Sequence, residues 1–301
     1  MTNFNAAVYL LSSRKENLFT ALESFYKNWN SNFDYPVYIH YYDDIYDDEK
    51  FKKKFYDELS AKIHFCKIEY KLPEHIEEKE LFYNRNYLNY VNSGRFTKKR
   101  IGYLHMCKFC SNLANFDNQN SPNPLLKKYD YLLKIDDDLF FQKKINFDLF
   151  KYSENYPLVS GSNWNVSKRE LKNNPMHGNI ETRENLFKFI KNYINDNEFV
   201  VKNKQLAKSL VKNNEFLMHT LPWSRGLFIY NMQYFNTPQY RNYFNLIEEF
   251  GGIYKHRWGD IELTSLYTYI HLSKKVKFLN LEKKNIYDPK FITSFAPSTK
   301  N

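Results

Sequence analysis

Hydrophobic and polar positions fall into blocks along this chain. Ala6-Ala7-Val8-Tyr9-Leu10-Leu11 is an apolar run of strand length, and after Ser12-Ser13 the residues from Arg14 to Asn28 carry Leu18, Leu22 and Phe25 on one side. That spacing predicts a serine-capped amphipathic helix behind a buried strand. Pro36 to Tyr41 is a second apolar run, ending in Asp43-Asp44. Strand, helix, strand in that order predicts a parallel unit with a right-handed crossover. Its loops gather at the carboxyl edge of the sheet, where open α/β sheets bind their ligands.

The alternation continues to the far end. Lys62 to Ile68 reads as a strand, Arg100 to Leu113 as a helix of modest periodicity, and Asn115 to Pro124 as a loop by composition. Tyr129 to Ile135 reads as an apolar strand that runs directly into Asp136-Asp137-Asp138. Leu158 to Gly161 and Leu227 to Tyr230 are further strands; Thr182 to Tyr193, Pro238 to Phe250 and Asp260 to His271 are helices; Val276 to Leu279 is a short closing strand. No repeat and no boundary interrupts the series, so one α/β domain over residues 1–301 is expected, with a mostly parallel mixed sheet flanked by helices.

Composition narrows the class. Apolar residues at 43% and aromatics at 19% place the chain among folded proteins, and with 26 Tyr and 26 Phe no single aromatic is strong evidence of function. The net charge of +10 favours a polyanion: nucleic acid, an anionic membrane surface or a nucleotide diphosphate. Lys52-Lys53-Lys54, Lys98-Lys99-Arg100 and Lys283-Lys284 are scattered, without a long basic arm or paired aromatic motif, so no nucleic-acid partner is expected. Cys66, Cys107 and Cys110 are an odd, sparse set; Cys107 and Cys110 have half a zinc spacing with no second pair, and structural thiols are the better reading. No apolar stretch approaches the 18 residues of a membrane span, and Ala6 to Leu11 is too short for a signal sequence. A soluble protein is the expectation.

Two constellations carry chemistry. In an extended strand, Asp136 and Asp138 would project together while Asp137 points away. Paired carboxylates at a strand end are hard ligands for Mn²⁺ or Mg²⁺ together with substrate phosphates, and such an ion stabilises a departing diphosphate as a Lewis acid. The alternative is a solvated acidic turn after a strand. The second constellation is Gly251-Gly252-Ile253-Tyr254-Lys255-His256-Arg257-Trp258-Gly259-Asp260. Its paired glycines permit unusual backbone angles or close approach. Asp260 stands where it could cap the helix from Ile261, or face an acceptor hydroxyl as a base; the two are compatible.

From about Ala6 to Pro289 these segments resemble the glycolipid 2-alpha-mannosyltransferase family (glycosyltransferase family fifteen), fungal Golgi α-1,2-mannosyltransferases that use GDP-mannose and Mn²⁺. Ala7-Val8-Tyr9-Leu10-Leu11 with Arg14 is similar to the family's first strand and nucleotide-binding turn. Tyr103-Leu104-His105-Met106-Cys107-Lys108-Phe109 is similar to its Tyr-x-x-Met-Cys-Arg-Phe segment, and Tyr129-Asp130-Tyr131 with Asp136-Asp137-Asp138 to its Tyr-Asp-Tyr strand and Glu-Pro-Asp metal motif. The residues from Gly251 to Asp260 parallel Gly-Gly-Phe-Phe-Tyr-Glu-Arg-Trp-Gly-Asp, the most specific match.

The resemblance implies a GT-A fold, retention at the anomeric carbon, a nucleotide-sugar-binding half over residues 1–140 and an acceptor-binding half over 141–301. The donor pocket it implies comprises Arg14, Tyr103 on the metal-diphosphate, Lys108 on a phosphate, and Asp136. Asp136 and Asp138 would bind the metal, and Asp260 and Arg257 would be catalytic.

Departures from the family matter as well. Its Trp-Ser-Asn-Phe-Glu segment carries a glutamate considered as nucleophile, but Trp223-Ser224-Arg225-Gly226-Leu227 has no carboxylate. Its Gly-Tyr-His-His run supplies a metal-binding histidine, whereas Asn285-Ile286-Tyr287-Asp288-Pro289 offers Asp288 as an oxygen ligand instead. The family's membrane anchor and stem have no counterpart in residues 1–301, so the expectation is a cytoplasmic protein rather than one of the Golgi lumen, in which the glycosylation pattern Asn165-Val166-Ser167 has no known consequence. The leading expectation is a retaining mannosyltransferase acting on GDP-mannose and a mannoside or glycan acceptor. Open beside it stand transfer of another hexose from GDP or UDP, a glycan- or nucleotide-binding relative without turnover and, more distantly, a nucleic-acid binder suggested by charge alone.

Overall fold

The computed structural model describes residues 4–42, 44–69, 71–82, 101–113, 124–161, 180–196, 226–272, 276–279, 281 and 287–288. The strands are β1 (Ala6–Leu11), β2 (Val37–Tyr41), β3 (Ile63–Lys67), β4 (Tyr131–Ile135), β5 (Phe140–Phe141), β6 (Leu158–Ser160), β7 (Leu227–Asn231), β8 (Lys277–Phe278) and β9 (Tyr287–Asp288). Among the described residues, seven of them form one sheet in the order β3-β2-β1-β4-β7-β6-β8. Only β7 runs against the others in that sheet. β1 and β2 are almost wholly buried, which explains why they read as unbroken apolar runs: a parallel strand covered on both faces has no polar side to show.

Alternate side chains of each strand serve two cores. On one face Val8, Leu10, Leu133, Ile135 and Leu227 pack under α1 (Lys15–Asn28) and α2 (Glu49–Glu58). On the other, Ala7, Tyr9, Leu132, Phe228 and Tyr230 lie under α3 (Ile101–Ser111), α4 (Ile180–Asp196), α5 (Met232–Phe235), α6 (Pro238–Phe250), α7 (Gly252–His256) and α8 (Asp260–His271). The aromatic bias goes into these layers. Trp29 is fully buried, stacked on Tyr35 with ring centroids 5.7 Å apart. Tyr240 and Tyr243 are equally buried but donate their hydroxyls to the carbonyls of Ser111 (2.6 Å) and Leu263 (3.0 Å), so the polar tips carry no desolvation penalty.

The order β2-β1-β4 makes the carboxyl ends of β1 and β4 the topological switch point, since successive connections leave β1 in opposite directions there. The turn after β1, with Arg14, and the acidic turn after β4 both start from that crevice. The first aromatic layer is testable: Trp29→Ala removes a fully buried indole and is expected to lower unfolding free energy by about 3–5 kcal/mol in a urea titration.

Candidate active site

At the switch point the acidic triplet is a turn and not a continuation of its strand. β4 stops at Ile135; Asp136 N–H donates to the Gly226 carbonyl (2.9 Å), and Leu139 N–H returns to the Asp136 carbonyl (3.2 Å). Strand alternation therefore does not set the three side chains: Asp137 and Asp138 both meet Arg14 while Asp136 turns to Lys134, which corrects the expectation that Asp136 and Asp138 would project together. Asp137 points away into the turn after β1, where its carboxylate accepts from Ser12 Oγ (2.9 Å), Ser13 N–H (3.2 Å) and the Arg14 guanidinium. The Ser12 hydroxyl has one proton and gives it to Asp137, so at 2.6 Å the Tyr46 hydroxyl donates to Ser12.

The expected serine cap on α1 is thereby corrected. The helix starts at Lys15 with Arg14 in the cap position and no side-chain cap bond; the Ser12 hydroxyl and the Ser13 backbone N–H go to Asp137 instead. Arg14 also reaches Asp138 through Nη1 at 2.6 Å. Burial raises the Asp138 carboxyl above its ordinary value while Arg14 opposes the shift. Burial works against the Arg14 guanidinium too, but Asp137 and then Asp138 reverse it and hold the group firmly charged. Asp136 is the open member, its side chain 39% exposed against 16% for Asp138.

The cap expected of Asp260 is a second correction. α8 begins at Asp260 itself, its N-cap is Gly259, and no side chain caps it. The Asp260 carboxylate turns instead to the sheet, where Lys134 Nζ donates to Oδ2 at 3.1 Å. The same ammonium stands 3.3 Å from Asp136 Oδ1. Lys134 is 4% exposed, on the sheet face of Phe228 and α8. Burial alone would depress its ammonium, but Asp136 and Asp260 more than offset that and leave it raised. Reading the sequence missed Lys134; the available signal was one lysine inside the run Tyr-Leu-Leu-Lys-Ile, since a lysine is almost never buried without a partner.

Near Asp260 the glycine pair does two jobs. Gly251 takes φ +74° at the end of α6, and Gly252 has no room for a Cβ, which would lie 1.9 Å from the buried Trp258 ring. Arg257 holds a left-handed φ of +57°, a conformation that costs a non-glycine residue on the order of 1 kcal/mol. Its guanidinium lies 4.7 Å from the Tyr103 ring centroid, a cation–π contact that brings two expected site residues together. Glu262, also missed, folds its carboxylate over Gly259, where a Cβ would stand 2.1 Å from Oε2. Burial pushes this carboxyl up to about 7; Asp260 adds to the shift, while its own backbone N–H, Arg257 and Lys134 oppose it.

The remaining expected residues are more dispersed. Lys108 pairs with Glu248 at 2.5 Å. The β5–β9 ladder sets the backbone of Asp288 opposite Phe140, two residues past Asp138. Leu227, in place of the family glutamate, is fully buried on the sheet face away from Lys134, while Trp223 to Arg225 and Asn165 to Ser167 lie outside the described residues. Cys107 and Cys110 are buried free thiols. Among the described residues no group of three or more His, Cys, Asp or Glu could hold a metal by itself.

Two outcomes test this geometry. Because the Glu262 carboxyl is raised from 4.5 to about 7, its unfolded form ionises first, so the wild type loses stability as pH climbs through that window. Relative to Glu262→Gln the loss is on the order of 2 kcal/mol, read as the difference between two pH series of urea unfolding. Leu227→Glu, which restores the family's residue type, is expected to lose about 3 kcal/mol or more in the same titration, because it puts a charge into the apolar cluster of Val8, Leu10, Leu133 and Ile135.

The comparisons agree with the fold. Core-mannan synthase A (CmsA/Ktr4) from Aspergillus fumigatus, in its Mn/GDP form, superposes with a TM-score of 0.72 at 22% identity, over 95% of this chain and 75% of that one. This gives the chain a GT-A-type fold. A probable mannosyltransferase, MNT3 of Candida albicans, is 30% identical over 178 residues, 58% of this chain and 40% of its own length. An O-glycoside alpha-1,2-mannosyltransferase homolog of Schizosaccharomyces pombe is 24% identical over 89% of this chain and 66% of its own length. The chain thus spans less than two thirds of the length of the last two relatives. The expected cytoplasmic location does not stand: it rested on the lack of an apolar span, and the relatives matched are fungal mannosyltransferases. That no helix among the described residues is long and apolar enough to cross a membrane does not indicate a compartment. Matched by the family's sequence profile over residues 2–289, the chain belongs to the glycolipid 2-alpha-mannosyltransferase family.

Proposed function

We propose that this chain is a retaining mannosyltransferase that moves mannose from GDP-mannose to a mannoside or glycan acceptor, forming an α-1,2 linkage with Mn²⁺ or Mg²⁺ as cofactor. The observation that carries the reading is the meeting of Arg14 with the Asp136 to Asp138 turn at the switch point, a cation beside hard oxygen ligands where a nucleotide diphosphate would lie. The donor set fits such an ion. Asp136 and Asp138, each with one oxygen on a protein cation, would turn their other oxygens to it, with Asp288 a third candidate, and phosphate oxygens would complete the shell. The bound ion would stabilise the negative charge of the departing nucleotide.

The chain's own residues do the rest. Arg14 and Tyr103 line the donor diphosphate, and Lys108 joins them by exchanging Glu248 for a phosphate. Asp260 orients or deprotonates the acceptor hydroxyl, its burial keeping water from the carboxylate, while Arg257 stands beside it on Tyr103. With Leu227 in the core, same-face displacement without a covalent intermediate fits best. Residues 1–140 serve the donor and 141–301 the acceptor.

The buried Leu227 also favours a second reading, a relative that binds nucleotide and glycan without turnover. Incubation with Mn²⁺ and a panel of nucleotide sugars separates the two: release of GDP from GDP-mannose, increased by simple mannosides, is expected, whereas binding without release supports the second reading and release from a different donor rules out the mannosyl assignment. Asp138→Ala is expected to lose metal-dependent turnover by about 100-fold with an unchanged circular dichroism spectrum; an active variant would remove the metal assignment. Asp260→Asn is expected to lose acceptor transfer while GDP still binds.

A further inference from the structure

We infer that Lys134 is a positioning residue that links the donor and acceptor ends of the site by holding Asp136 and Asp260 in one fixed mutual orientation. The inference rests on the proposed mannosyl transfer for its functional meaning, but its geometry stands alone. Lys134 lies within the central strand, two residues ahead of Asp136 in the sequence, and points to the opposite sheet face from Leu133 and Ile135. Its ammonium has Asp136 Oδ1 at 3.3 Å and Asp260 Oδ2 at 3.1 Å. Lys134 and Asp260 are both 4% exposed at the side chain, so neither charge is solvated enough to stand without the other.

The two carboxylates come from opposite halves of the chain. Asp136 follows β4 and faces the crevice beside Arg14; Asp260 opens α8, which packs on α3, the helix that carries Tyr103. A rigid strand lysine between them removes the freedom of each to rotate, and orientation of reacting groups within a fraction of an ångström is worth large factors in rate. A surface lysine could not do this, because a solvated pair is weak and adopts many geometries. The Phe228 ring centroid, 5.8 Å from the ammonium, closes the same pocket from β7. Tyr9, Tyr230 and Cys110 face it from β1, β7 and α3 as neutral groups, each thiol or hydroxyl raised by burial first of all. Asp136 and Asp260 are thus the counter-charges that this lysine meets.

The test is a double-mutant cycle on the full chain with Lys134→Met, Asp260→Asn, the pair together, and Lys134→Arg. Unfolding midpoints are read first. Lys134→Met strands a buried carboxylate and is expected to unfold roughly 6 °C or more below wild type, while the double variant recovers most of that loss. Kinetics with GDP-mannose and a simple mannoside are then read below the lowest midpoint. Lys134→Met and Asp260→Asn are each expected to lower acceptor kcat/KM by roughly tenfold or more, with donor KM within about threefold of wild type. The double variant should be no slower than the slower single one, because the residues act as a unit. Lys134→Arg, which keeps the charge, should restore transfer to within about fivefold.

A structural role alone predicts a different pattern: midpoints that recover in the double variant while the two rate losses multiply. That pattern, or a Lys134→Met protein with wild-type acceptor kcat/KM, overturns the inference. If the wild type releases no GDP from any donor, the functional reading fails on its own. The Lys134–Asp260 link is then judged by the midpoints, and additive losses there refute it.

Discussion

Two cations pair with four carboxylates around the carboxyl ends of the two central strands, and the geometry of the site depends on that pairing. Arg14 takes Asp137 and Asp138; Lys134 takes Asp136 and Asp260. Carboxylates at such burial repel one another and resist ionisation unless cations and hydrogen bonds meet them. The cost of desolvating these groups is offset locally, by donors that come from the turn after β1 and from inside β4. Breaking the Lys134–Asp260 pair would leave a charge stranded in the interior, and buried pairs are far more sensitive to loss of one partner than to loss of both.

This arrangement divides the acidic triplet by function. Asp137 is fully occupied by Ser12, Ser13 and Arg14 and ties β4 to the turn after β1. Asp136 and Asp138 keep more solvent access on the crevice side. Behind the turn, Asn28 donates to the Phe141 carbonyl at 2.7 Å and Ser24 accepts from Phe141 N–H at 3.0 Å, so α1 holds the far end of the acidic loop. A loop pinned at both ends presents its carboxylates with little conformational freedom to lose on binding a ligand.

Most of the fold was legible because apolar run length and helical spacing report burial directly, and β1, β2, β4 and the helices from Lys15, Pro238 and Asp260 match those runs closely. The site was legible in its residue types and their neighbourhood, since Arg14, the triplet and Asp260 do converge on one corner. Its wiring was not. Whether Ser12 caps a helix or grips Asp137 turns on a residue 125 positions away, and no local pattern encodes such a pairing. Asp260 looked like a cap because a carboxylate ahead of a helix usually is one; Lys134, buried beneath it, competes successfully for the same oxygen. Lys134 sits inside a run that reads as an apolar strand, and Glu262 inside a run that reads only as a helix. Both acquire their meaning from burial, which pattern alone does not give.

The most direct measurement is calorimetric titration of GDP into the protein with Mn²⁺ present and again after chelation. If the Asp136 to Asp138 turn and Arg14 hold a metal-diphosphate together, GDP binds with one site per chain in the presence of Mn²⁺, and affinity falls by about tenfold or more without it. Equal affinity in both titrations, or no binding in either, would contradict the assignment of this crevice to a metal-bound nucleotide.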